Sequence, residues 1–77
     1  MSLPVIIKKM REKLFLSQEE FAKELNVTTI TINRWENGKS KPNLTAMKKI
    51  KVFCDKHELS FDELEKEWRN CTRGDEI

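Results

Sequence analysis

The segment from Leu16 to Pro42, LSQEEFAKELNVTTITINRWENGKSKP, constrains the fold more than any other part of this 77-residue chain. It opens with Ser17-Gln18-Glu19-Glu20, in which Ser17 can cap a helix and Glu20, three residues on, can reach back to close a capping box. Phe21, Ala22 and Leu25 then recur at helical spacing. The helix stops at Asn26, a residue type that tolerates the left-handed backbone a tight turn requires. A second short helix begins almost at once, capped by Thr28 and closed by Glu36-Asn37-Gly38. The segment is therefore two short helices joined by a turn of about three or four residues.

Periodicity sorts the second of these helices into two faces. At about 100° per residue, Ile32 and Trp35 point the same way, while Ile30, Asn33, Arg34 and Asn37 fall opposite, with Thr29 and Thr31 at the margins. The face holding Ile32 and Trp35 must be the buried one. The outward face then carries two amides, a guanidinium, hydroxyls and one apolar side chain, where an ordinary solvated helix carries Glu and Lys. These groups suit the edges of base pairs: arginine is bidentate to guanine, asparagine to adenine, and an apolar side chain meets a thymine methyl. An isolated surface isoleucine needs no explanation, but Ile30 sits within that set. Two helices and a turn with such a face make a helix-turn-helix and point to duplex DNA.

The segment resembles the helix-turn-helix domains of the Cro and phage-repressor superfamily, also called the Xre family. The resemblance rests on Ser17-Gln18-Glu19-Glu20, Ala22, Leu25-Asn26-Val27, Ile32, Trp35-Glu36-Asn37-Gly38 and Pro42, and extends more weakly from Pro4 to about Trp68. It implies a lambda-repressor-like DNA-binding domain. Gln18 would then lie against the DNA backbone, Thr29, Ile30 and Arg34 at the principal base-reading positions, and Asn37 with the Lys39-Ser40-Lys41 loop against phosphates. Thr28, Thr31 and Asn33 complete the expected DNA-facing set. The resemblance further implies an ion pair between Arg11 and Glu36, the sole acid between Thr28 and Lys51. A carboxylate beside phosphates is repulsive unless neutralised, and a planar guanidinium suits a partly buried pair. The residues themselves also allow Arg11 to be one more base facing phosphate. Two positions depart from the family pattern: Asn26 stands where glycine is usual, and Phe15 where a small residue often ends the first helix.

Charge is distributed in the same sense. The net charge is only +2, but residues 28 to 51 carry +5 while residues 52 to 77 carry −4. Positive charge thus concentrates on the second helix of the pair and the stretch just after it, where phosphate contacts are needed. Such a length allows one small domain. There is no apolar run long enough to span a membrane and no signal-peptide pattern, so a cytoplasmic protein is expected.

The spacing predicts an all-α, compact five-helix bundle occupying residues 4 to 69, with a polar tail from 70 to 77. The first helix runs from Pro4 to Leu14 with Val5, Ile7, Met10 and Leu14 inward. The second spans Gln18 to Leu25 and the third Thr29 to about Asn37. Asn43 caps a fourth with a stripe of Leu44, Met47, Ile50 and Phe53 or Cys54. Ser60 and Glu63 form a second capping box for a fifth, ending near Arg69 and striped by Phe61, Leu64, Trp68 and Cys71. Cys54, His57 and Cys71 are too few for a structural zinc site, so no metal and no cofactor are expected. No activated nucleophile, phosphate-cradling glycine loop or paired carboxylates are present, and no enzyme is expected. The expected function is sequence-specific binding of double-stranded DNA as a transcriptional regulator of repressor type. The chain would act as a homodimer joined through the C-terminal helix, on a palindromic operator. The alternatives are an antitoxin or adaptor that uses the same fold mainly to hold a protein partner, and a protein-interaction module that has lost DNA binding.

Overall fold

The computed structural model describes residues 2–70. It consists of five helices: α1 (Leu3–Lys13), α2 (Gln18–Leu25), α3 (Thr29–Glu36), α4 (Leu44–Lys56) and α5 (Asp62–Asn70). Among the described residues there is no strand, and the all-α architecture is the one expected. Three of the helices, α2, α3 and α4, start at side-chain caps. Ser17 Oγ accepts the Glu20 N–H at 3.0 Å while Glu20 Oε1 accepts the Ser17 N–H at 2.8 Å, completing the capping box. Thr28 Oγ1 accepts from Thr31 N–H at 3.2 Å, and Asn43 Oδ1 from Ala46 N–H at 2.8 Å.

Four helices end in the same way. After α1 the N–H of Leu16 reaches the Arg11 carbonyl and that of Phe15 the Glu12 carbonyl, with Phe15 at φ 58°. The same pair of bonds recurs after α2, α3 and α4, around Asn26 (φ 56°), Gly38 (φ 74°) and Glu58 (φ 57°). This is the Schellman termination, which satisfies the last carbonyls by turning one residue into the left-handed region. Glycine adopts that region freely. At these four turns it does so at Gly38, and three side-chain-bearing residues do it at the others.

α3 packs on α1 and α2, α2 also meets α4, and α1 also meets α5. Ile7, Phe21, Leu25, Ile32, Ile50 and Leu64 are fully buried at the centre, and the Phe21 and Phe53 rings meet edge-on at 5.2 Å between centroids. Three expectations are corrected. Val5 is 42% exposed, because α1 starts at Leu3 and buries Leu3, Ile6, Ile7 and Met10; Val5 lies about 150° from the centre of that face at helical spacing. Leu44 is 61% exposed, since α4 buries Ala46, Met47, Ile50, Phe53 and Cys54, about 120° away by the same geometry. Ser60 does not cap α5. Leu59 and Phe61 both pack against the core while Ser60 is exposed, and the helix begins after Phe61, whose carbonyl accepts the Glu65 N–H at 2.9 Å. Cys71 and most of the expected polar tail lie outside the described residues.

Candidate nucleic-acid interface

α3 owes its orientation to a charged joint at its C-terminal end. Arg11 of α1 donates through Nε to Glu36 Oε2 at 2.7 Å and through Nη2 to Glu36 Oε1 at 3.0 Å, a bidentate pair. Its remaining nitrogen, Nη1, donates to the Leu16 carbonyl in the α1–α2 turn at 2.8 Å. Gln18, the first residue of α2, donates through Nε2 to Glu36 Oε1 at 3.1 Å. The side chains of Arg11 and Glu36 are 13% and 4% exposed. The hydrogen bond donated to Glu36, aided by the charge of that carboxylate, raises the Arg11 pKa above the ordinary arginine value, so the guanidinium is charged at any accessible pH. One carboxylate thereby ties α1, the first turn and α2 to the end of α3. The family resemblance implied the Arg11–Glu36 pair, but no residue spacing signalled that Gln18 or the Leu16 carbonyl would join it.

From this joint the outward face of α3 projects with Ile30, Asn33 and Arg34 all exposed, Ile30 to 72%. Ile32 and Trp35 are buried on the other side, 0% and 4% exposed. At the N-terminus Thr28 and Thr29 are exposed and Thr31 is half-buried, with the Thr28 and Thr31 hydroxyls 2.9 Å apart. Asn37 comes directly after the helix and folds its amide back, Nδ2 donating to the Asn33 carbonyl at 2.8 Å. Lys39 and Ser40 are exposed in the loop that leads to α4.

Lys41 is placed differently from its two neighbours. Its Nζ donates to the Trp68 carbonyl near the end of α5 at 3.3 Å and lies 5.0 Å from the centre of the Trp68 ring. Trp68 in turn donates its indole N–H to the Pro42 carbonyl at 2.6 Å. The structure thus brings Arg11, Gln18 and Glu36 into one network, lines Thr28 to Arg34 along one helix, and draws Lys41 toward α5. The link from Trp68 to the loop had no signal in the sequence, because indole N–H partners obey no sequence spacing.

Other chemistries find little here. Among the described residues no three His, Cys, Asp or Glu side chains gather as metal ligands. Cys54 is buried, with its thiol 3.7 Å from the Met10 sulfur. The His57 ring meets that of Phe53 at a tilt of 55°, and its Nε2 stands 3.7 Å from Glu24. No helix among the described residues is long and apolar enough to cross a membrane.

Comparison with known proteins agrees with this geometry. A helix-turn-helix family model matches residues 7–64. The HTH-type transcriptional activator BcrR of Enterococcus faecalis is 34% identical over 58 residues, which cover 75% of this chain and 27% of that protein. The type II methyltransferase M.SsoII of Shigella sonnei is 37% identical over 57 residues, 70% of this chain and 15% of that enzyme. The chain therefore spans about a quarter or less of the length of these two relatives. No solved structure gives a significant match.

Proposed function

We propose that this chain, which belongs to the helix-turn-helix family, binds double-stranded DNA with sequence specificity and regulates transcription, with α3 in the major groove. The observation that carries the reading is the outward face of α3. It presents an exposed isoleucine beside an exposed asparagine and arginine, on a helix whose angle is set by the Arg11–Glu36–Gln18 joint. A solvated helix gains nothing from Ile30 at 72% exposure, whereas a thymine methyl would cover it. Arg34 reads a base, Asn33 and Thr29 flank it, and Lys39 and Ser40 meet phosphates. The likeness to a methyltransferase falls on 57 residues, 15% of that enzyme, too small a share to carry catalysis over to this chain.

One eight-residue recognition helix reads only a few base pairs, too few to select one site in a genome. Two copies related by a two-fold axis would read half-sites about one helical turn apart, giving a palindromic operator. On α5 the apolar stripe is largely spent inside the chain, with Leu64 fully buried; the half-buried edges of Phe61 and Trp68 remain for a second copy. Occupation of such a site represses by exclusion of polymerase, with no further contact needed. Selection of bound sequences from random duplex DNA tests the proposal. A recovered motif with two-fold symmetry is expected, and no enrichment over the starting pool would overturn it.

A further inference from the structure

The loop from Lys39 to Pro42 has no regular secondary structure, yet it is held at both ends. At its start the Lys39 N–H bonds to the Arg34 carbonyl of α3 at 2.9 Å. At its finish stands Pro42, which is fully buried and has no N–H to offer, so its carbonyl is its backbone handle. That handle is taken by the indole N–H of Trp68 at 2.6 Å, from a helix at the far end of the sequence. The Lys41 ammonium closes the same contact from the other side, on the Trp68 carbonyl at 3.3 Å and over its ring. A cation near the end of α5 is also favoured by the helix dipole.

We infer that Trp68 is a positioning residue for phosphate binding: by fixing the Pro42 carbonyl it sets the path of the loop that presents Lys39 and Ser40 to the DNA backbone. The inference rests on the DNA-binding function proposed for α3 and adds α5 to it. Phosphate contacts depend on where a cation stands, because one well-placed lysine contributes roughly one released counterion. A loop released at its second end samples many paths, and the time Lys39 spends near a phosphate falls. Base reading belongs to the exposed face of α3, and the loop's anchor on that helix, the Lys39 N–H on the Arg34 carbonyl, is left in place, so base reading stays as it was.

The test uses Trp68→Phe, which keeps an aromatic ring over Lys41 and removes the N–H. Binding is measured to the selected duplex and to random duplex over a range of salt, well below the melting temperature of each variant. Affinity should fall about five- to tenfold on both duplexes, with the preference between them unchanged and the salt slope reduced by about one. In a Lys39→Ala background the same substitution should cost much less, since the cation it positions is gone. Unchanged affinity, a loss confined to the selected sequence, or equal losses with and without Lys39 would each overturn the inference while the parent reading stands. Failure of the unsubstituted chain to bind any duplex would overturn both. Circular dichroism separates these results from unfolding, and should Trp68→Phe fail to fold, Lys41→Met removes the other side-chain partner of the same contact and is read by the same measurements.

Discussion

Phe15 sits in the left-handed region with its ring 93% exposed, so the chain bears a backbone cost there and recovers no packing. A side chain in that region costs roughly 1–2 kcal/mol relative to the ordinary helical one, and glycine escapes most of it. Phe15→Gly should therefore stabilise the domain by about 1 kcal/mol, offset in part by the freer unfolded chain. In a domain of this size that is a rise of several degrees in melting temperature. A fall on thermal denaturation would show that the ring packs in the folded state. Arg34 sets the other prediction at this scale. Arg34→Ala should cost about 1–3 kcal/mol at a single base pair and relax preference there, as read by competition between cognate and single-substituted duplexes. Equal losses on cognate and random DNA would remove Arg34 from base reading.

Among the elements, α3 is held by charge at one end and by apolar burial along its length. Removing Arg11 would leave the Glu36 carboxylate, 4% exposed, without its balancing charge and held by the neutral amide of Gln18. Arg11→Met should cost about 3 kcal/mol in denaturant unfolding, and Arg11→Met with Glu36→Met together should cost less than Arg11→Met alone, because no orphaned charge remains. A double variant less stable than the single one would show that the pair is net favourable beyond its own desolvation. The element starts were legible from the chain because caps are local: Ser17, Thr28 and Asn43 each act within three residues. Faces were legible where a helix had a full apolar stripe, as in α3, and misread at Val5 and Leu44, where one extra apolar residue sits off the stripe. The start of α5 was misread at Ser60 because tertiary demand on Leu59 and Phe61 outweighed a capping pattern. Of the candidate site, the exposed row on α3 was readable from period alone. The contacts of Gln18 and Lys41 were not, since they join residues 18 and 27 positions apart.

Across the whole molecule the buried thiol gives a dependence on pH. Burial pushes the Cys54 thiol up from 9.0 to about 11, since the interior disfavours the thiolate. Between these values the unfolded chain has released the proton and the folded chain still holds it, so stability should fall as pH rises through that window and level off above it. The loss is about 2–3 kcal/mol at one pKa unit per 1.4 kcal/mol. Urea titrations at about pH 8.5 and about pH 10.5, either side of most of that window, should show the difference shrinking in Cys54→Ala; an unchanged slope would assign the loss to lysines instead. The clasp between α5 and the loop has an optical consequence. The chain has two tryptophans and no tyrosine, and the two indoles occupy unlike surroundings: Trp35 is buried under α3, while Trp68 is half-buried beneath a lysine and bonded to a carbonyl. Its ultraviolet emission therefore comes from one ring that reports whether the core is intact and another that reports the shape of the Lys39–Pro42 loop, so the unlabelled protein carries its own pair of probes.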